Sequence, residues 1–137
     1  LTASQIQALL GAPAAQAGTE HDFDVNYVTC TWTTGSAAGN ASTVRLGVVE
    51  RGSASEKGFG PPTSAGPPSA VSGVGDDATF ASSGGGASQP GESILVANKH
   101  LASVSLDVTY GGTTAHPNST QAAMADDVRQ VFVQLGE

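Results

Sequence analysis

A chain of 137 residues has the length of one domain, enough for a single core and too short for two good ones. Charged residues make up only 12% against the ~25% usual in globular domains, and twelve acids against five bases leave a net charge of −7. That balance repels phosphate backbones and anionic lipid and excludes nucleic acid as a partner; Arg45, Arg51, Lys57, Lys99 and Arg129 are too scattered to form a basic patch.

The opening LTASQIQALLGAP carries the start and stop signals of a short helix. Thr2 is placed to cap the first amides while Gln5 reaches back, Leu1 to staple onto Ile6, and Gly11 followed by Pro13 to end the segment. Ile6, Leu9 and Leu10 form its buried stripe. The acidic stretch EHDFDVN reads as a solvated loop, after which the period drops to two. In NYVTCTWTT, Val28, Cys30 and Trp32 share one face and the threonines the other; in STVRLGVVE the apolar set is Val44, Leu46 and Val48. Both are predicted as half-buried strands, paired as an antiparallel hairpin across the turn formers of TGSAAGNA. Cys30 is the only cysteine, which excludes an internal disulfide and a multi-cysteine metal site, and the alternation buries it beside Trp32.

RGSASEKGFGPPTSAGPPSA and SSGGGASQPGE are too rich in Gly, Pro and Ser to bury anything and read as mobile surface loops. Between them DDATFA is a short strand, and SILVA and LASVSLDVTY form a second pair around Asn98-Lys99-His100. Val104, Leu106, Val108 and Tyr110 face the core, with Phe80 and Trp32 as its bulky anchors. In the closing segment Met124, Val128, Val131 and Leu135 recur at the period of one helical face, Asp126 and Asp127 sit towards the positive end of the dipole, and Gly136 is the stop. The predicted architecture is a single α+β domain over residues 1–137, an antiparallel sheet of about five strands with the N- and C-terminal helices packed on one face.

The motif GVGDDATF lacks the third glycine of a dinucleotide fingerprint and leads into a strand where that fingerprint opens a helix, so phosphate binding is excluded. Adjacent strand residues point to opposite faces, so Asp76 and Asp77 do not converge on a cation. The motif reads as a turn in which Gly75 takes positive φ, Asp76 caps, and Asp77 faces water. Glu20, His21, Asp22 and Asp24 are usable ligand types without the spacing of a metal site. His100 and His116 fall in predicted turns, and no Ser-His-Asp set stands out among the many serines. Asn40-Ala-Ser and Asn118-Ser-Thr match the glycosylation sequon, as a chain this rich in Asn, Ser and Thr does by chance. No catalytic, cofactor-binding or metal-ligating residue is assigned, and no cofactor is expected.

Taken in order, LTASQIQALLGAP, CTWTT, VSGVGDDATF, LVANKHLASVSLDV and MADDVRQVFVQL resemble the small bacterial lipoproteins and secreted domains of unknown function of actinobacterial and acidobacterial type. The shared features are an opening helix ending in Gly11, a Cys-x-aromatic strand at Cys30 and Trp32, and a Gly-x-Gly-Asp turn at Gly73, Gly75 and Asp76. The resemblance implies an extracytoplasmic α+β domain, secreted, periplasmic or lipid-anchored through an upstream cysteine, and brings no catalytic residues. No apolar run approaches the ~18 residues of a membrane span, so membrane attachment is expected only through such an upstream anchor or helix. The expected function is a non-catalytic binding or interaction module of the cell envelope, with a protein or small molecule as partner. The alternatives are a hydrolase whose residues meet only in the fold, with His21, His100 and His116 as candidates, and the sensory ectodomain of a longer membrane protein.

Overall fold

The computed structural model describes residues 1–22, 26–34, 41–53, 56, 58–84, 90–111 and 119–137. Along the chain run α1 (Ala3–Leu10), β1 (Ala14–Asp22), β2 (Tyr27–Thr34), β3 (Thr43–Glu50), β4 (Ser69–Ala70), β5 (Asp77–Ser83), β6 (Gly91–Lys99), β7 (Ala102–Tyr110) and α2 (Gln121–Leu135). The strands form one antiparallel sheet in the order β1-β2-β3-β7-β6-β5-β4, two meanders joined where β3 pairs with β7.

The sheet has seven strands rather than about five. The two extra strands are its edges. β4 is only two residues long, and β1, read as loop at its acidic end, pairs with β2 along Ala14–Asp22 through a bulge between Gln16 and Gly18. β1 is exposed along almost its whole length. It has little to bury and so carries no apolar alternation; its pairing comes from the neighbouring strand.

Both helices lie on one face. Thr2 and Gln5 form a reciprocal capping box at the start of α1, and Gly11 closes it in the left-handed region at φ 69°. Thr120 caps α2 and Gly136 ends it at φ 80°, with the Glu137 amide donating to the Phe132 carbonyl. Ile6, Leu9 and Leu10 of α1 and Met124, Val128, Val131 and Phe132 of α2 pack onto Val44 and Leu46 of β3, Val104, Leu106, Val108 and Tyr110 of β7, and Leu95 of β6. The helices are tied together by Gln5, whose Nε2 donates to Asp127 Oδ1 at 2.7 Å; burial raises the Asp127 carboxyl pKa and this bond opposes the rise.

The bulk at the centre comes from Tyr110 and Phe132, both essentially inaccessible, while Trp32 and Phe80 are half-buried at the margin. The predicted anchors therefore border the core instead of filling it, because the helices sit over β3, β7 and β6 and leave β2 and β5 partly covered. The same offset leaves Cys30 half-exposed, its Sγ 3.9 Å from the Thr19 hydroxyl, where the alternation had placed it inside. On the opposite face of β2 it is Thr29 that is buried, at 1% exposure, with no hydrogen-bond partner for Oγ1 among the described residues.

That opposite face is covered by the connection from β3 to β4. Its ends lie four strand positions apart, ~19 Å at the usual strand spacing, so the chain must cross the sheet. In crossing, Ala65 becomes fully buried against Ala81, Ile94 and Val96, with Phe59 packed beside them, and the Phe59 amide donates to Ser103 Oγ at 2.8 Å. The stretch read as a loop unable to bury anything thus supplies the second layer of the domain. Gly and Pro remove the bulk and alternation by which a sequence advertises burial, yet Pro62 and Ala65 are small enough to lie flat on the sheet.

The opening motif of the second meander forms the turn that leads into β5. Gly73 and Gly75 hold φ of 73° and 68°. Asp76 does not cap its own turn: its Oδ2 accepts from the backbone amide of His100 at 2.8 Å, clamping the β6–β7 turn, which lies at His100-Leu101 rather than at 98–100. Asp77 is exposed, as expected, and accepts from Asn98 Nδ2 at 2.7 Å.

Candidate ligand-binding site

Two depressions flank the β2–β3 region, one at each face, and Tyr27 lines both. The larger follows from the offset between helices and sheet. Val28 and Val48 are cross-strand partners that continue the apolar stripe of β2 and β3 towards the sheet end, where Val48 still packs against the margin of the core. The far wall is Leu135, in the last turn of α2. Although its spacing sets it on the buried stripe, it is 37% exposed and borders the depression. The space enclosed is about 430 Å³, lined by Val28, Val48, Leu135 and Tyr27, with His21, Asp22, Asn26 and Glu50 also on its wall. This volume lies within the ~300–1,000 Å³ of small-molecule sites, and an apolar lining with a few polar groups is their usual chemistry.

The smaller depression, about 190 Å³, lies where the crossing chain meets the open half of the other face, among Tyr27, Arg45, Gly47, Phe59, Ser105 and Asp107. Arg45 and Asp107 are direct cross-strand partners. Arg45 Nη2 lies 3.4 Å from the Tyr27 hydroxyl and 3.8 Å from Glu20. Burial raises the pKa of Asp107 to about 6, helped by the charge of Glu92 and opposed by Arg45 and a bond from Thr109. The rings of Tyr27 and Phe59 meet edge to face at 5.8 Å between centroids. Gly47 provides the floor; a methyl group there would approach the Phe59 ring to 2.8 Å.

The candidate residues of the sequence are dispersed. His21 and Asp22 reach the wall of the larger cavity, while Glu20 turns to Arg45 on the other face. Asp24, His116 and both sequon asparagines, Asn40 and Asn118, lie outside the described residues. His100 is exposed at the turn with φ 45°, and its Nδ1 is 2.9 Å from Glu137. Among the described residues no group of three or more His, Cys, Asp or Glu side chains comes within reach of a common metal ion. Arg45, Asp107 and Phe59 gave no sequence signal, since two occupy the polar positions of alternating strands and the third a Gly/Pro-rich loop. No helix is long and apolar enough to cross a membrane among the described residues. No protein-family model matches the chain, and neither a curated protein nor a solved structure shows significant similarity to it.

Proposed function

We propose that this chain is a non-catalytic binding module of the bacterial cell envelope that takes a small, largely apolar molecule between its sheet and the end of α2. The observation that carries this reading is the cavity of about 430 Å³ lined by Val28, Val48 and Leu135. A domain with no ligand to accommodate would gain by closing such a space, because each buried methylene contributes ~0.8 kcal/mol. The wall carries Asp22 and Glu50, whose carboxylates favour a ligand that is neutral or cationic at its polar end. The envelope location rests on the resemblance of the capped first helix, the Cys30-x-Trp32 strand and the Gly73–Asp76 turn to secreted and lipid-anchored bacterial domains. A hydrolase has no specific support from His100, whose ring nitrogen is on Glu137 and not on a serine.

Fluorescence titration with the neutral probe N-phenyl-1-naphthylamine tests the reading. Saturable one-to-one enhancement is expected, weakened at least tenfold in Val48→Arg, a loss of ~1.4 kcal/mol or more. Absence of saturable binding, or equal binding by the variant, would overturn it.

A further inference from the structure

The depression on the opposite face has a chemistry of its own. Its described walls present a cationic donor in Arg45, a carboxylate acceptor in Asp107, hydroxyls in Ser105 and Tyr27, and an apolar surface in the rings of Tyr27 and Phe59. Glycine at position 47 lets the Phe59 ring lie directly on the strand, which fixes the aromatic pair at the edge of the depression. Next to Gly47 across the β2–β3 pairing, Thr29 keeps a buried hydroxyl without a partner among the described residues, a polar group on this face whose hydrogen bonding is incomplete.

The charges limit what binds. Glu20 and Glu92 lie on the flanking strands β1 and β6 and disfavour an anion, while Arg45 disfavours a cation. Arg45 and Asp107 together carry no net charge, and between them they offer donors and acceptors to one neutral ligand. A single sugar ring combines these demands: hydroxyls that both donate and accept, and a C–H face that packs on the electron-rich face of an aromatic ring.

We propose that the surface formed by Tyr27, Arg45, Gly47, Phe59, Ser105 and Asp107 is a second binding site, one for a neutral sugar unit. It is separate from the apolar cavity and does not depend on that cavity being a ligand site. Arg45 and Asp107 grip adjacent hydroxyls in the fashion of bidentate polar recognition, and the aromatic pair takes the apolar face. The size of the depression limits the bound part to about one ring.

The test is amide-resolved NMR titration of the whole chain with D-glucose, D-galactose and D-mannose separately, at millimolar concentrations, with inorganic phosphate and butylammonium as charged probes. At least one sugar is expected to shift the amides of Arg45, Gly47, Ser105 and Asp107 in a saturable way. Arg45→Met and Asp107→Ala should each weaken that binding at least tenfold while leaving the remaining amide pattern intact. Should Asp107→Ala lose the native pattern, Arg45→Met decides, since it keeps the length of the stem and removes only the guanidinium. The proposal is overturned if none of the three sugars shifts these amides, if phosphate or butylammonium does so in their place, or if Arg45→Met binds sugar as the parent does.

Discussion

Arg45 and Asp107 stand directly opposite one another on β3 and β7, yet the Arg45 guanidinium extends to Tyr27 and Glu20 on the far side, leaving Asp107 half-buried with a hydrogen bond from the Thr109 hydroxyl. The carboxyl is thereby raised from 3.8 to about 6 by burial and by Glu92. Between these two values the folded state holds a proton that the unfolded state has released. Stability from this group therefore falls as pH rises from about 4 to about 6. Asp107→Asn should then stabilise the protein near neutral pH by on the order of 1–3 kcal/mol and have little effect near pH 4. Urea unfolding of both proteins across this range checks the sign, which an Asp107 held by a strong ion pair would reverse.

The turn before β5 makes a second case. Gly75 holds φ 68°, and a Cβ there would lie 2.3 Å from the carbonyl oxygen of Asn98, so both conformation and space forbid a larger residue. Gly75→Val should cost at least ~1–3 kcal/mol. Asp76→Ala removes the clamp on the His100 amide and should cost ~0.5–2 kcal/mol, the scale of a lost side-chain cap. Thermal unfolding of the two variants measures this, and parental stability in Gly75→Val would contradict the turn as described.

On β2 the exposed and buried roles are exchanged relative to the polarity of the residues. Thr29 is buried with a hydroxyl that has no partner among the described residues, and Cys30 is half-exposed. Thr29→Val, which keeps the shape and removes the hydroxyl, should be neutral or stabilising by up to ~1–3 kcal/mol. Cys30 should label with a thiol reagent in the folded protein, more slowly than a free thiol. Protection of Cys30 until unfolding would place it back in the core.

The helices were legible because each carries its own punctuation. Thr2, Gln5 and Gly11 specify α1 without reference to anything else, and the Met124–Val131 stripe specifies the face of α2. The five strands read from alternating or apolar runs, β2, β3, β5, β6 and β7, were legible for the same reason. β1 was not, since an exposed edge strand is held by hydrogen bonds to β2 and its side chains need no pattern. Nor was the role of Phe59 and Ala65, which cover the second face only because β4 lies at the far edge from β3, a fact of topology that no local segment encodes. Both depressions arise from these unreadable features. One exists because the helices leave the Val28 end of β2 only partly covered, and the other because the crossing chain leaves Arg45 and Asp107 beside Phe59 accessible.

The acidic wall of the larger cavity sets a preference among amphiphiles. With Asp22 and Glu50 on that wall, decylamine should displace the neutral fluorophore at lower concentration than decanoate, and added salt should narrow the gap. A reversed order in a competition titration would show that these carboxylates do not face the bound polar end.

Intermolecular nuclear Overhauser effects from decylamine to assigned methyl groups locate the apolar ligand in the protein. Entry between Val28, Val48 and Leu135 gives contacts to the methyls of those three residues. Contacts confined to Val133 and Leu101, the apolar side chains exposed on the outer surface at 74% and 43%, would contradict it.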